Sequence, residues 1–112
     1  MNPLFDSAGL AIVAYADVAA DGTSTVTNSG VTTTKTATGT YNVILPADKT
    51  QNNAPDLFVV TPKGSVQRSA NVNDATDAIK TAQMYSGGSL ADGEFDIIIL
   101  RTIVPPPAGA PA

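Results

Sequence analysis

Turn-forming residues interrupt this chain at short, regular intervals, and this spacing constrains the fold more than any other feature. Gly, Pro, Asn and Asp recur about every eight to twelve residues, a spacing typical of chains built from short strands. The segments between them are rich in Val, Ile, Thr and Tyr, whose side chains fit a pleated sheet. The pattern predicts an all-β protein: a single small antiparallel β-sandwich or barrel of about seven strands.

The first three predicted strands lie before residue 39. Residues 10–18 (LAIVAYADV) form an apolar run of β-formers that stops at the turn dipeptide Asp21-Gly22. Residues 23–38 are dominated by Thr and contain a turn at 28–30, so they predict two strands with one face in water.

A fourth strand is predicted at residues 39–46 (GTYNVILP). Period-two alternation places Tyr41, Val43 and Leu45 on one face of this strand. Pro46 closes it, because proline cannot donate a backbone hydrogen bond to a neighbouring strand.

The second half of the chain contains two continuous apolar runs. Residues 57–61 (LFVVT) predict a strand that is buried on both faces at the centre of a sheet. Residues 95–104 (FDIIILRTIV) predict a strand covered on both faces around 97–100, because such a run on an open edge would aggregate. A weaker strand is predicted at 66–72. The side chains that we expect in the core are Tyr41, Val43, Phe58, Val60, Ile97 and Ile99.

Residues 79–85 (IKTAQMY) leave two interpretations open. The segment contains good helix formers, and Asp74 or Thr76 would serve as the cap of a short helix. It also alternates weakly between apolar and polar residues, as a strand does. We favour the strand because the surrounding segments are all β.

The two ends of the chain differ from the middle. Residues 1–9 carry Pro3, Leu4 and Phe5 without periodicity, and residues 105–112 begin with three prolines that cannot join a sheet. We therefore divide the chain into an N-terminal arm (1–9), a β-domain (10–104) and a Pro-rich C-terminal arm (105–112). Stiff apolar arms would bind a neighbouring chain at low entropic cost, although frayed ends explain the same composition. The partner-binding candidates are Pro3, Leu4, Phe5, Pro105, Pro106 and Pro107.

Composition excludes several classes of function. The net charge is −4 and the six basic residues are scattered, so a nucleic-acid partner is not expected. There is no His and no Cys, which removes the commonest general base and the strongest nucleophile. No stretch is long and apolar enough to cross a membrane as a helix, and no membrane association is expected. The composition therefore predicts a protein that is not an enzyme.

Acidic residues offer the only candidates for chemistry. Asp92, Glu94 and Asp96 alternate, and an extended strand would place all three carboxylates on one face, where they could bind Ca²⁺. We favour the interpretation that these three residues are solvated side chains at the start of a strand. Calcium takes about 6–8 oxygen ligands, and no other residues show calcium-loop spacing. Asp74 and Asp77 are expected to act as turn or cap residues. No metal or cofactor site is predicted.

Four segments together resemble a small β-domain found in virion proteins of tailed bacteriophages. They are 21–23 (DGT), 39–46 (GTYNVILP), 57–62 (LFVVTP) and 95–100 (FDIIIL), and the resemblance spans about residues 10–104. Among such proteins the chain is most similar to head decoration (cement) proteins, which are Cys-poor β-domains with extended arms.

The resemblance implies a structural virion protein that binds the major capsid protein lattice and stabilises the phage head. It further implies synthesis in the host cytoplasm, a location on the capsid surface, and a homo-oligomer, with a trimer favoured. The alternative is a receptor- or glycan-binding module of a phage tail or fibre, in which the polar loops 47–56 and 86–93 form the contact surface. A small hydrolase that uses Asp92, Glu94 or Asp96 is a third interpretation, which the composition disfavours.

Overall fold

The computed structural model describes residues 10–28, 30–49 and 56–102, and this part of the chain is almost entirely strand. Its regular structure comprises nine strands and one 3₁₀ turn at Ala47–Lys49. The strands are β1 Leu10–Val18, β2 Ser24–Thr27, β3 Thr32–Ala37, β4 Thr40–Ile44, β5 Asp56–Pro62, β6 Ser69–Asn73, β7 Ile79–Ser86, β8 Ser89–Leu90 and β9 Phe95–Thr102.

The strands form two antiparallel sheets. Sheet A has the order β2-β1-β9-β5, and sheet B has the order β3-β4-β7-β6, with β8 paired to one end of β7. The sheets also approach each other at their edges, where β2 contacts β3 and β5 contacts β6. The predicted small antiparallel β-sandwich is confirmed.

The core lies between the sheets and takes alternate side chains from each strand. Tyr41 and Val43 of β4 are completely buried, and Leu45 is 4% exposed, so the predicted shared face of these residues is confirmed. Tyr41 packs edge-on against Phe95 of β9, with ring centroids 5.2 Å apart. Such aromatic pairs stabilise a core by about 0.5–1.5 kcal/mol beyond the area they bury.

The other expected core residues follow the same alternation. Ile97 and Ile99 are buried as predicted. Phe58 and Val60 are only partly buried, but both pack against the core cluster. They lie on β5, which has a neighbour within its sheet on one side only, and an edge strand leaves more of its inward side chains uncovered.

Two predictions about the apolar runs are wrong. β5 is an edge strand rather than a central one, and its outward residues Leu57 and Val59 are about half exposed. β9 is central, between β1 and β5, but only its inner face is covered, and Ile98 is 37% exposed. Continuous apolar sequence therefore reflects an apolar outer face here, not burial on both sides.

The ambiguous segment 79–85 is a strand, and the helix alternative is wrong. β7 pairs with β4 on one side and with β6 on the other. Its side chains are buried at every second position, Lys80, Ala82 and Met84, as expected for a strand. β6 is shorter than predicted and begins at Ser69, after a loop at 63–68.

Strand direction defines two ends of the sandwich. Leu10 at the start of β1 is paired with Thr102 of β9, so both outer segments of the chain join sheet A at the same end, which we name the terminal end. The opposite end, the loop end, carries the turns after β1, β3 and β7 and the segment 91–94. The predicted arms 1–9 and 105–112, with all six of their partner-binding candidates, lie outside the described residues.

Candidate functional site

The outer face of sheet A is apolar, and we name it the apolar face. In the described part of the chain, eight large hydrophobic side chains are more than a third exposed, and six of them lie here. Cross-strand register places Tyr15, Ile98 and Val59 in one row across β1, β9 and β5. The six side chains of the apolar face are Ile12, Tyr15, Val26, Leu57, Val59 and Ile98.

A charged cluster borders the apolar face on its loop-end side. Lys63 donates to Asp17 at 3.0 Å and to Asp96 at 3.1 Å, and the hydrogen bonds to these carboxylates raise the pKa of Lys63. All three side chains are about a third to a half exposed, so each pair contributes little to stability. The cluster instead gives the apolar face a polar boundary that separates it from the turns.

The outer face of sheet B has the opposite character, and we name it the polar face. In the described strands its outward side chains carry hydroxyl and amide groups and no charge, apart from Tyr85 and three apolar residues, the half-buried pair Ile44 and Ile79 and the 42% exposed Leu90. Thr81 donates to the side-chain oxygen of Asn42 at 2.9 Å within this face. The outward residues of the polar face are Thr32, Thr34, Thr40, Asn42, Ser69, Asn71, Asn73, Thr81 and Gln83.

Buried charges close the terminal end between the two sheets. Asp56 of β5 accepts two hydrogen bonds from Arg101 of β9, at 2.6 and 3.0 Å, and lies 3.2 Å from the ammonium of Lys80 on β7. Lys80 is 2% exposed and also donates to Asp74. Burial would raise the pKa of Asp56, but the hydrogen bonds from Arg101 and Lys80 outweigh it and lower the pKa. The network therefore connects β5, β7 and β9 through side-chain contacts.

The buried network is not evident in the sequence, where the six basic residues are scattered. No local motif marks it, because Asp56, Lys80 and Arg101 come from three separate strands. One signal was present: Lys80 shares a face with Ala82 and Met84, and Arg101 interrupts the apolar run 95–104, so each occupies a position where an apolar residue is expected.

At the loop end, Tyr41 and Asp92 join segments from both halves of the chain. The Tyr41 hydroxyl donates to the carbonyl of Ala20 at 2.7 Å and accepts from the backbone N–H of Gly93 at 3.1 Å. Asp92 accepts from the N–H of Gly39 at 2.7 Å and from Lys35. The bond from Lys35, followed by that from Gly39, lowers the pKa of Asp92.

The alternating carboxylates do not form a cluster. Asp92 is paired with Lys35 before β9 begins, and Asp96 is paired with Lys63 on the outer face of sheet A. Glu94 is exposed and forms no ion pair within 4.0 Å in the described structure. Across 10–28, 30–49 and 56–102, no group of three acidic side chains is arranged to bind a metal ion. The shared carboxylate face is therefore not formed, because the strand starts only at Phe95.

The described parts of the two polar loops lie at opposite ends of the sandwich. Ala47–Lys49 and Asp56 lie at the terminal end, where Arg101 donates to the carbonyl of Lys49. Ser86 and Gly93 lie at the loop end. Residues 50–55 of the first loop lie outside the described residues.

The described residues contain no helix with the length and hydrophobicity needed to span a membrane. Compared with protein-family models, curated proteins and solved structures, the chain matches none of them.

Proposed function

We propose that the protein is a structural component of a phage virion, a decoration protein that binds the major capsid protein lattice through its apolar face. The observation that carries the proposal is the contrast between the two outer faces. A soluble sandwich normally has polar residues on both outer faces, and a contiguous exposed apolar patch marks an interaction surface. The polar face then points away from the shell, toward solvent.

The size of the apolar face limits how tightly one copy can bind. Four strands about 4.8 Å apart and about six residues long at 3.3 Å each give a face of roughly 20 × 20 Å, about 400 Å². A stable protein interface buries about 800 Å² per partner. One face is therefore suited to a weak contact, which repetition over a lattice, or within a trimer, converts into stable attachment by avidity.

The strand pairing at the terminal end supports the proposal that the arms bind the same partner as the apolar face. Because Leu10 and Thr102 are paired in sheet A, the outer segments of the chain start beside the row formed by Ile12, Leu100 and Leu57. We propose that the segments beyond these two residues contact the same partner as the apolar face. Their Pro3, Leu4, Phe5 and Pro105–Pro107 remain the proposed arm contacts.

Stabilisation of the capsid would follow from mass action rather than catalysis. A ligand that binds the assembled lattice and not free subunits stabilises the lattice by RT ln(1 + [L]/Kd). The protein needs no catalytic group for this role, in agreement with the absence of His and Cys from its sequence.

The test is co-sedimentation of the purified protein with undecorated capsids of the phage that encodes it, using two matched variants. Val59→Lys places a charge at the centre of the apolar face, on β5, and should weaken capsid binding at least about tenfold, since it buries an unpaired charge. Asn71→Lys places the same charge on the polar face, on β6, and should bind as the wild type does.

Equal binding by both variants would contradict the proposal. Loss of self-association by Val59→Lys with unchanged capsid binding would assign the apolar face to a second copy of the chain instead. Analytical ultracentrifugation of both variants separates these results.

A further inference from the structure

A cavity of about 290 Å³ opens between the β5–β6 loop and the end of β7. Its lining consists of Gln67, Arg68, Ser69, Tyr85 and Gly87. The cavity lies beside the polar face at the loop end, on the sheet opposite the apolar face, so it stays accessible when the apolar face is occupied. Its volume is near the lower limit of about 300 Å³ for small-molecule sites, which suits a ligand the size of one sugar ring.

Among the described residues, Arg68 is the only charged residue in this lining. The described residues offer it no ion pair within 4.0 Å, and its buried Nε has no hydrogen-bond acceptor. The side chain lies against Gly93, where a Cβ would be 2.5 Å from Arg68 Cδ, so only glycine leaves room for this placement. Arginine binds carboxylates through a planar fork of donors, which makes an acidic ligand the best match.

The remaining lining groups suit a sugar better than a peptide. The Gln67 amide both donates and accepts hydrogen bonds, as does the Ser69 hydroxyl, which matches the dual character of sugar hydroxyls. The Tyr85 ring is partly exposed and is held by a hydrogen bond from its hydroxyl to Gln83 at 3.2 Å. An aromatic ring of this kind offers an apolar surface with a polar edge, on which the C–H face of a sugar can pack.

The approach to the cavity is open. Neither Gly87 nor Gly88 has an atom within 4 Å of where a Cβ would lie, so the turn after β7 projects no bulk over the site. From the cavity, the uncharged side chains of Asn71 and Gln83 continue along the polar face. These groups would hydrogen-bond further sugar units of a longer chain.

We propose that the cavity beside Arg68 binds a carboxylate-bearing sugar residue, such as a uronic or sialic acid unit of a surface polysaccharide. Arg68 pairs with the carboxylate, Tyr85 packs against the ring, and Gln67 and Ser69 hydrogen-bond its hydroxyls. The site is independent of capsid binding, so the protein would hold a virion near an acidic glycan while its apolar face stays on the shell.

The experiment is isothermal titration of the full chain with oligosaccharides of galacturonic acid, glucuronic acid and sialic acid, and with their carboxyl-reduced forms. At least one acidic oligosaccharide should bind, and its reduced form should bind at least about tenfold more weakly, because the reduced form cannot pair with arginine. No binding by any acidic sugar, or equal binding of a sugar and its reduced form, would overturn the proposal.

Three variants locate the binding site. Arg68→Gln should lose at least about tenfold in affinity for the acidic sugar, whereas Lys49→Gln, which removes the same charge at the terminal end, should not. Glu94→Gln should bind more tightly, because Glu94 and Arg68 both approach Gly64 and the carboxylate repels an acidic ligand. Unchanged affinity in folded Arg68→Gln, or weaker binding by Glu94→Gln, would contradict the assignment. If Arg68→Gln does not fold, the affinities of Glu94→Gln and of the carboxyl-reduced sugars still test whether the acidic sugar binds beside Arg68.

Discussion

At the scale of single residues, a few buried polar contacts stabilise this sandwich. Asp56 holds Arg101 and Lys80 in a region with little water, where removal of one partner leaves a buried charge uncompensated. The network fixes the relative position of β5, β7 and β9, and β5 carries part of the apolar face. The integrity of the apolar face therefore depends on residues on the inner side of sheet A.

Asp56→Asn is expected to lower the free energy of unfolding by about 3–5 kcal/mol, because the amide cannot neutralise Arg101. Asp48→Asn, at an exposed position of the 3₁₀ turn, should change it by less than about 0.5 kcal/mol. Urea denaturation followed by circular dichroism measures both values. Equal midpoints for the two variants would show that the buried network contributes little.

The lowered pKa of Asp56 gives a pH dependence with a defined sign. The folded state favours the ionised carboxylate more than the unfolded chain does. Its contribution to stability is therefore complete above the unfolded pKa of about 3.9, and it is lost as pH falls through the lower pKa of the folded state. Urea midpoints between pH 6 and pH 2 should fall for the wild type and fall less for Asp56→Asn. Parallel curves would refute this origin of the acid sensitivity.

At the scale of elements, the turns of the loop end are held by close backbone contacts. Gly39 has a φ of 64°, and a Cβ there would lie 2.7 Å from both the N of Ala91 and the carbonyl oxygen of Met84. Gly87 has nearly the same φ, 61°, but an added Cβ would meet nothing within 4 Å. Alanine substitutions at these two glycines therefore separate the free-energy cost of a left-handed backbone from the cost of a steric clash.

Gly87→Ala should destabilise the protein by about 1–2 kcal/mol, which is the left-handed backbone cost alone. Gly39→Ala should cost clearly more, because the β3–β4 turn must also move away from the segment at 91–94 and loosen the Asp92 contact. Thermal unfolding of the two variants provides the comparison. A similar melting temperature for both would mean that the loop end tolerates displacement.

Strands were predictable from the sequence, but sheet order was not. The limits of β1 follow from β-propensity and turn residues, whereas the strand character of β7 is favoured over a helix by its all-β surroundings. The edge position of β5 depends on the pairing of β9 with β1 on one side and β5 on the other. These pairings join segments that are far apart in sequence, and no local pattern encodes them. The apolar run at 57–61 therefore predicts a strand buried on both faces, although its outward residues form part of the exposed apolar face.

At the scale of the whole molecule, the sandwich has one apolar and one polar outer face. The first and last described residues, Leu10 and Thr102, are paired at its terminal end. The arms were inferred from composition, whereas the apolar face emerged only when β1, β5 and β9 were placed side by side. Side chains that are far apart in sequence, such as Tyr15, Val59 and Ile98, become one surface through register.

Deletion of residues 1–9, or separately of 105–112, should weaken capsid binding and leave thermal unfolding of the β-domain nearly unchanged. Both deletions leave the Leu10 to Thr102 pairing of sheet A intact. Calorimetry combined with co-sedimentation checks this expectation. Failure of either truncated protein to fold would place that segment in the core, and undiminished capsid binding would remove it from the interface.

Cryo-electron microscopy of capsids with and without the protein shows directly which face of the sandwich meets the shell. We expect additional density in which the row formed by Tyr15, Ile98 and Val59 contacts the major capsid protein, with Asn71 and Gln83 facing solvent. Density with the polar face against the shell, or no added density at saturating protein, would contradict it.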